Sequence, residues 1–109
     1  ILFMHENWSK AGLVDKLRDL VEKRSMKDLT HGPILTVTND TFFSHLEAIL
    51  EIRGTSVLFG GKPLTAKEPH NIPSCYGSFL PTAVQVPIEA MMKPENFSLC
   101  TTEIFGPFQ

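Results

Sequence analysis

Glu103 is the side chain in this 109-residue sequence whose setting points most directly to chemistry. It stands in Thr102-Glu103-Ile104-Phe105-Gly106-Pro107-Phe108-Gln109, where a carboxylate is followed by an aromatic ring, a glycine and a proline. A carboxylate accepts two hydroxyl hydrogen bonds at once, and charge-assisted bonds of this kind are short and directional. Gly106 lets the backbone pass close to a neighbour and Pro107 fixes φ, so both read as devices that position rather than react. The competing reading makes Glu103 a solvated carboxylate at a strand end and Phe105 an ordinary core aromatic.

The other reactive side chains form no comparable pattern. His5, His31, His45 and His70 are scattered, and His70 with Cys75 does not match the paired close spacings of a zinc site, so no metal is expected. Two cysteines, Cys75 and Cys100, are too few for a disulfide framework and fit a reducing compartment. They read as small buried hydrophobes. Asn-x-Ser/Thr triplets at Asn7, Asn39 and Asn96 read as chance matches in a chain without a secretory leader. No Gly-x-Gly-x-x-Gly run or Walker loop occurs.

The elements that must position these groups follow from hydrophobic period and breakers. Ile1 to His5 predicts a strand. Leu13, Val14, Leu17, Leu20 and Val21 recur at helical spacing and predict an amphipathic helix from Ser9 to about Arg24. Gly32-Pro33 breaks the pattern, and Ile34 to Val37 reads as extended. Asn39 or Asp40 then caps a second helix with a buried stripe of Phe42, Phe43, Leu46, Ile49 and Leu50, ended by Gly54. Ser56 to Phe59 predicts a strand buried on both faces, Gly60 to Tyr76 a long loop, Ala83 to Val86 a strand, and Ile88 to Lys93 one helical turn before Pro94. The sum is an α/β unit with three or four strands and two main helices.

Composition narrows the function classes. Ten basic and twelve acidic side chains are spread along the chain at a net charge of −2, which gives no support to nucleic-acid binding. No apolar stretch approaches the roughly twenty residues that span a bilayer, so no membrane is expected as a partner and the chain reads as soluble. There is no internal repeat and no domain boundary. A chain of this size buries only about two-thirds of its unfolded surface, and half a sheet exposes an edge that neighbouring strands would cover.

Four segments in one order carry a resemblance to a known family. His31-Gly32-Pro33-Ile34-Leu35, Gly54-Thr55-Ser56-Val57-Leu58-Phe59-Gly60-Gly61-Lys62, Gly77-Ser78-Phe79-Leu80-Pro81-Thr82-Ala83-Val84 and Glu103-Ile104-Phe105-Gly106-Pro107 together resemble the aldehyde dehydrogenase superfamily over nearly the whole chain. Ile72-Pro73-Ser74-Cys75-Tyr76-Gly77 and Thr101 to Gln109 look most like its 1-pyrroline-5-carboxylate dehydrogenases, although most relatives carry a small branched residue where Phe108 stands.

The resemblance implies a catalytic-domain α/β sheet of mostly parallel strands, with residues 1–109 as a single fragment of that domain. It implies NAD as cofactor, with NADP an alternative, Glu103 as ligand of the ribose hydroxyls beside the nicotinamide, and Phe105 packed near the nicotinamide. The family reacts through a cysteine thiolate that attacks the aldehyde carbon to form a thiohemiacetal. That cysteine falls upstream of Ile1, so no catalytic residue is assigned here and the fragment alone is expected to be inactive. The implied partners are a small-molecule aldehyde, the remainder of the same polypeptide and further copies in a homo-oligomer. The implied location is the mitochondrial matrix in a eukaryote, the cytoplasm otherwise. A reading from another class is a free-standing α/β interaction module. Such a module should have polar, frayed termini, whereas this chain starts Ile-Leu-Phe-Met and finishes Phe-Gly-Pro-Phe, which favours the fragment.

Overall fold

Phe42 and Phe79 lie face to face with ring centroids 3.7 Å apart and planes within 9°, and neither exposes any surface. The rest of the chain is wound around this pair in the computed structural model, which describes all of residues 1–109. Val37 and Leu46 complete the buried cluster, and Ile34, Phe43, Val84, Ile104 and Phe108 pack against it.

Helix α3, Asn39–Leu50, supplies Phe42, Leu46 and Ile49 to this core from one face, as their spacing of four and three requires. Its cap is Thr38, whose hydroxyl accepts from the amide of Thr41 at 3.4 Å, in place of the expected Asn39 or Asp40. Asn39 is engaged elsewhere. Its Oδ1 accepts from the Ser78 amide at 2.7 Å and its Nδ2 donates to Ser78 Oγ at 3.1 Å, which ties the first turn of α3 to the chain beside Phe79. The helix ends at Leu50, short of Gly54, which takes a left-handed φ of +87° in the turn that follows.

The single helix expected from Ser9 to Arg24 is two: α1, Glu6–Lys10, and α2, Leu13–Glu22. Gly12 divides them at φ +82°, a conformation that costs glycine nothing and ends the first run of helical bonds. None of the stripe on α2 is fully buried, so its apolar face is only half-covered by this chain.

Strand β1, Ser56–Phe59, pairs antiparallel with β2, Ala83–Gln85, in the register Ser56 opposite Gln85, Val57 opposite Val84 and Phe59 opposite Ala83. The register shifts between Val57 and Phe59, so Leu58 bulges, and its carbonyl accepts from Nε and Nη2 of Arg18 on α2 at 3.3 and 3.0 Å. Val57 remains 39% exposed, which corrects the expectation of burial on both faces.

The α/β class is as expected, but the sheet formed within this chain is two antiparallel strands where three or four, mostly parallel, were expected. Ile1 to His5 forms no ladder. Ile34 contributes one antiparallel bridge, to Gly77, and Phe108 one parallel bridge, to Thr82. Proline explains much of the shortfall, since Pro33, Pro81, Pro87 and Pro107 each bring no N–H to a ladder. In the parallel contact the Thr82 amide donates to the Pro107 carbonyl at 2.8 Å and the Gln109 amide to the Thr82 carbonyl at 2.9 Å.

After Pro87 the chain forms α4, Ile88–Met91, and α5, Pro94–Thr101. Pro94 therefore opens a helix where a stop was expected. At N1 its missing N–H has no helical partner to lose and its φ is already helical. The loop from Gly60 to Tyr76 includes a 3-10 turn at Leu64–Ala66, with Leu64 1% exposed and its amide on the Ser78 carbonyl at 2.8 Å. Lys67 Nζ closes the end of α2 by donating to the carbonyls of Glu22 and Arg24 at 2.5 and 2.6 Å. No helix is long and apolar enough to cross a membrane.

Candidate functional site

Helix α5 stops at Thr101 and Thr102 is already extended, so the chain leaves the helix directly into the turn that carries Glu103. Ile104 faces the core, while Glu103 and Phe105 face out. Phe105 is 67% exposed and has φ +51°, a left-handed backbone that a bulky residue seldom adopts. Strain of this kind persists only where surroundings over-determine it. Here the Thr36 hydroxyl donates to the Phe105 carbonyl, Pro107 is paired to Thr82, and the Phe108 amide donates to the Gly106 carbonyl at 2.7 Å. Phe108 anchors the turn from below, edge-on to Phe42 at 5.8 Å and to His45 at 5.5 Å.

Gly106 owes its identity to closeness. A Cβ there would lie 3.0 Å from Cγ1 of Val37 and 3.4 Å from Cζ of Phe79, and the turn rests on the core at that point. The carboxylate of Glu103 takes part in neither ion pair of the chain, which join Lys10 to Glu6 and Arg18 to Asp15. It also accepts no hydrogen bond from another residue of the chain, so its acceptor capacity faces solvent.

Of the four segments singled out in the sequence, the one from Gly77 to Val84 touches each of the other three. Ile34 and Gly77 exchange both backbone hydrogen bonds at 2.8 Å, the Leu80 amide donates to the Lys62 carbonyl at 2.9 Å, and Thr82 pairs with Phe108. The Thr82 hydroxyl, on a residue 2% exposed, accepts from the Gly61 amide at 2.7 Å and donates to the Leu80 carbonyl at 2.8 Å. Thr82→Val keeps the volume but strands both partners in a dry site, which is expected to cost about 1–3 kcal/mol. Urea unfolding of the domain that contains this chain measures the loss, and Thr82→Ser should recover most of it.

Other titratable groups lie off this turn. Cys100 sits half-buried on α5 at the edge of an apolar cleft of ≈ 640 Å³ that also includes Leu2, Val14, Leu58, Val84 and Phe108, and burial pushes its thiol up. Cys75 is exposed, not buried as expected, because the loop around it holds few apolar residues to cover it. Burial pulls His31 and His45 below the ordinary imidazole range, and Nε2 of His31 is buried without a partner. A second, more polar cleft of ≈ 630 Å³ runs between Arg24, Thr30 and His31 on one side and Gly106 to Gln109 on the other. Phe59, Phe108 and Gln109 line both clefts. No group of three or more histidine, cysteine, aspartate or glutamate side chains converges to hold a metal ion.

Three contributions were not foreseen from the sequence: the hydroxyl of Thr36, Thr82 as a hydrogen-bond hub, and the tie of Asn39, read there as a helix cap, to Ser78. Thr82 had a signal in its Pro-Thr pair. Thr36 had only its place as a lone hydroxyl between Leu35 and Val37.

No protein-family model matches the chain. Two curated plant proteins do. A probable aldehyde dehydrogenase of Linum usitatissimum is 54% identical over 109 residues, which is 100% of this chain and 19% of that protein. The mitochondrial delta-1-pyrroline-5-carboxylate dehydrogenase 12A1 of Arabidopsis thaliana is 53% identical over 110 residues, again all of this chain and 19% of its own length. The chain thus spans about a fifth of the curated relatives it matches. Both matches run over the whole of this chain, the turn at Glu103 included, and the chain is a homologue of one stretch of proteins named as aldehyde dehydrogenases.

Proposed function

We propose that this chain forms one wall of the cofactor site in the catalytic domain of an NAD-dependent aldehyde dehydrogenase, acting within a longer polypeptide. The observation that carries the reading is the turn at Glu103, which holds a carboxylate and an aromatic ring outward on a backbone locked from behind. Those residues fit a ribose and a nicotinamide: the carboxylate has two oxygens free of partners in the chain, and Phe105 offers an open ring face. Glu103 would accept hydrogen bonds from the ribose hydroxyls, and Phe105 would pack near the nicotinamide. The nicotinamide ribose is common to NAD and NADP, so Glu103 accepts either. The cofactor, when bound, supplies the oxidant.

The substrate in this reading is glutamate semialdehyde, the open form of 1-pyrroline-5-carboxylate, oxidised to glutamate in proline breakdown. The name of the Arabidopsis relative supports both this choice and a mitochondrial location. The chain alone is inactive in this reading, since neither Cys75, exposed in the loop before Gly77, nor Cys100, on α5, is the cysteine that the resemblance assigns to the reaction.

Steady-state NAD reduction by the full-length polypeptide, run over a panel of aldehydes that includes pyrroline-5-carboxylate, tests the proposal. Pyrroline-5-carboxylate should give the highest kcat/KM. Glu103→Gln weakens two charge-assisted hydrogen bonds to neutral ones, and should lower kcat/KM for NAD about tenfold or more. A protein that oxidises no aldehyde, or a variant with unchanged NAD kinetics, rules the reading out.

A further inference from the structure

Glu103 and Phe105 can serve a ligand only if the backbone beneath them stays in place, and that backbone is one a phenylalanine avoids. At φ +51° the side chain of Phe105 crowds its own main chain, and a residue released from such a conformation returns to negative φ. That return would swing the ring and, two residues away, the carboxylate.

Three contacts oppose it. Gly106 rests on Val37 and Phe79, and Thr82 pairs with Pro107; both lie on the core side of the turn. The third comes from the extended stretch before α3, where Val37 points into the core and Thr36 points out. The Thr36 hydroxyl donates to the carbonyl of Phe105, the strained residue itself, across 69 positions of sequence. Thr36 is exposed, so its side chain has little packing role, and its hydrogen bond is its main contribution to the turn.

We propose that Thr36 is a positioning residue for nucleotide binding: its hydroxyl clamps the Phe105 carbonyl and thereby pre-organises Glu103 for the ribose. This inference rests on the reading of Glu103 as the ribose ligand. Thr36 touches no reacting atom, so its loss should weaken cofactor binding and leave the chemical step alone. A ligand that must first order its own site binds more weakly by the cost of that ordering.

The test uses the full-length enzyme with Thr36→Val, which removes the donor at constant shape, Thr36→Ser, which keeps it, and both Thr36→Val and wild type in a Glu103→Gln background. Thr36→Val should raise the KM for NAD about fivefold with kcat within about twofold, and Thr36→Ser should behave like wild type. In the Glu103→Gln background the same change should add less than about twofold, because a residue acting through Glu103 has nothing left to position. Additive effects in that background, a fall in kcat at unchanged NAD KM, or failure of serine to rescue overturns the proposal. If Glu103→Gln shifts NAD binding and Thr36→Val does not, the positioning role alone fails. If Glu103→Gln shifts nothing, the ribose reading and the clamp fail together.

Discussion

Phe79→Ala is expected to be the most damaging single change in this chain, at about 3–5 kcal/mol for truncating a wholly buried aromatic. Phe79 stacks on Phe42, meets Phe43 edge-on at 6.3 Å, and lies under Gly106, so the cavity would open between α3 and the turn that carries Glu103. Stabilities of whole domains run only to about 5–15 kcal/mol, so this one side chain decides whether the region folds. In the full-length polypeptide the variant should lose roughly 10 °C in thermal midpoint, and much of its soluble yield. Phe97→Ala removes the same ring from an exposed place on α5 and should cost within about 0.5 kcal/mol. Equal losses from the two would show that the stacked pair is not the core of this region. Phe42→Ala with Phe79→Ala should cost less than the sum of the single changes, since each empties space that the other lines.

Gly60→Ala should follow closely, for a different reason. Gly60 has φ +77°, and a Cβ placed there would lie 2.5 Å from the Thr82 hydroxyl and 2.7 Å from its Cα, where no flexible side-chain end can yield. The left-handed backbone costs an L-residue about 1–2 kcal/mol before any clash, and the collision adds at least as much, so about 3 kcal/mol or more is expected. The strain also lands on Thr82, which joins the Gly61 amide to the turn at Pro107. Gly60→Ala should therefore raise hydrogen exchange at Thr82 and Gln109 as well as lower the unfolding midpoint. Gly32→Ala, with open space around it and no positive φ, is the control and should change neither. An alanine tolerated at position 60 would mean that the loop is not pressed against Thr82.

Much of this arrangement could be read from residue order. The stripe Phe42, Leu46 and Ile49 named its helix and its buried face because a 3.6-residue period has few other uses, and Ser56–Phe59 and Ala83–Gln85 declared themselves by β-branched and aromatic runs between glycines and prolines. What misled was local and has local causes. Gly12 lies just ahead of the apolar period that starts at Leu13, and a lone glycine at that edge gave no sign that the helix begins after it with a separate short helix before. Pro94 ends one helix and starts another, and a proline alone does not say which. The cap of α3 went to Thr38 because Asn39 found a better partner 39 residues away in Ser78, which no window around Asn39 contains. Strand direction is a matter of partners, and short bridges broken by proline show little of it. At the site, the types and order of Glu103, Phe105, Gly106 and Pro107 were visible, but the positive φ of Phe105 and the donor on its carbonyl depend on a contact spanning 69 positions.

The bulge in β1 has a consequence for how this region meets other chains. A sheet edge with free carbonyls recruits any extended peptide that drifts against it, and such recruitment is how partly folded chains clump. At Leu58 that carbonyl is already taken by a guanidinium from α2, and the extra residue twists the strand at the same place. Arg18 thus acts as a doorkeeper for the edge. An arginine held there by two hydrogen bonds leaves a passing strand one acceptor fewer to pair with at this edge.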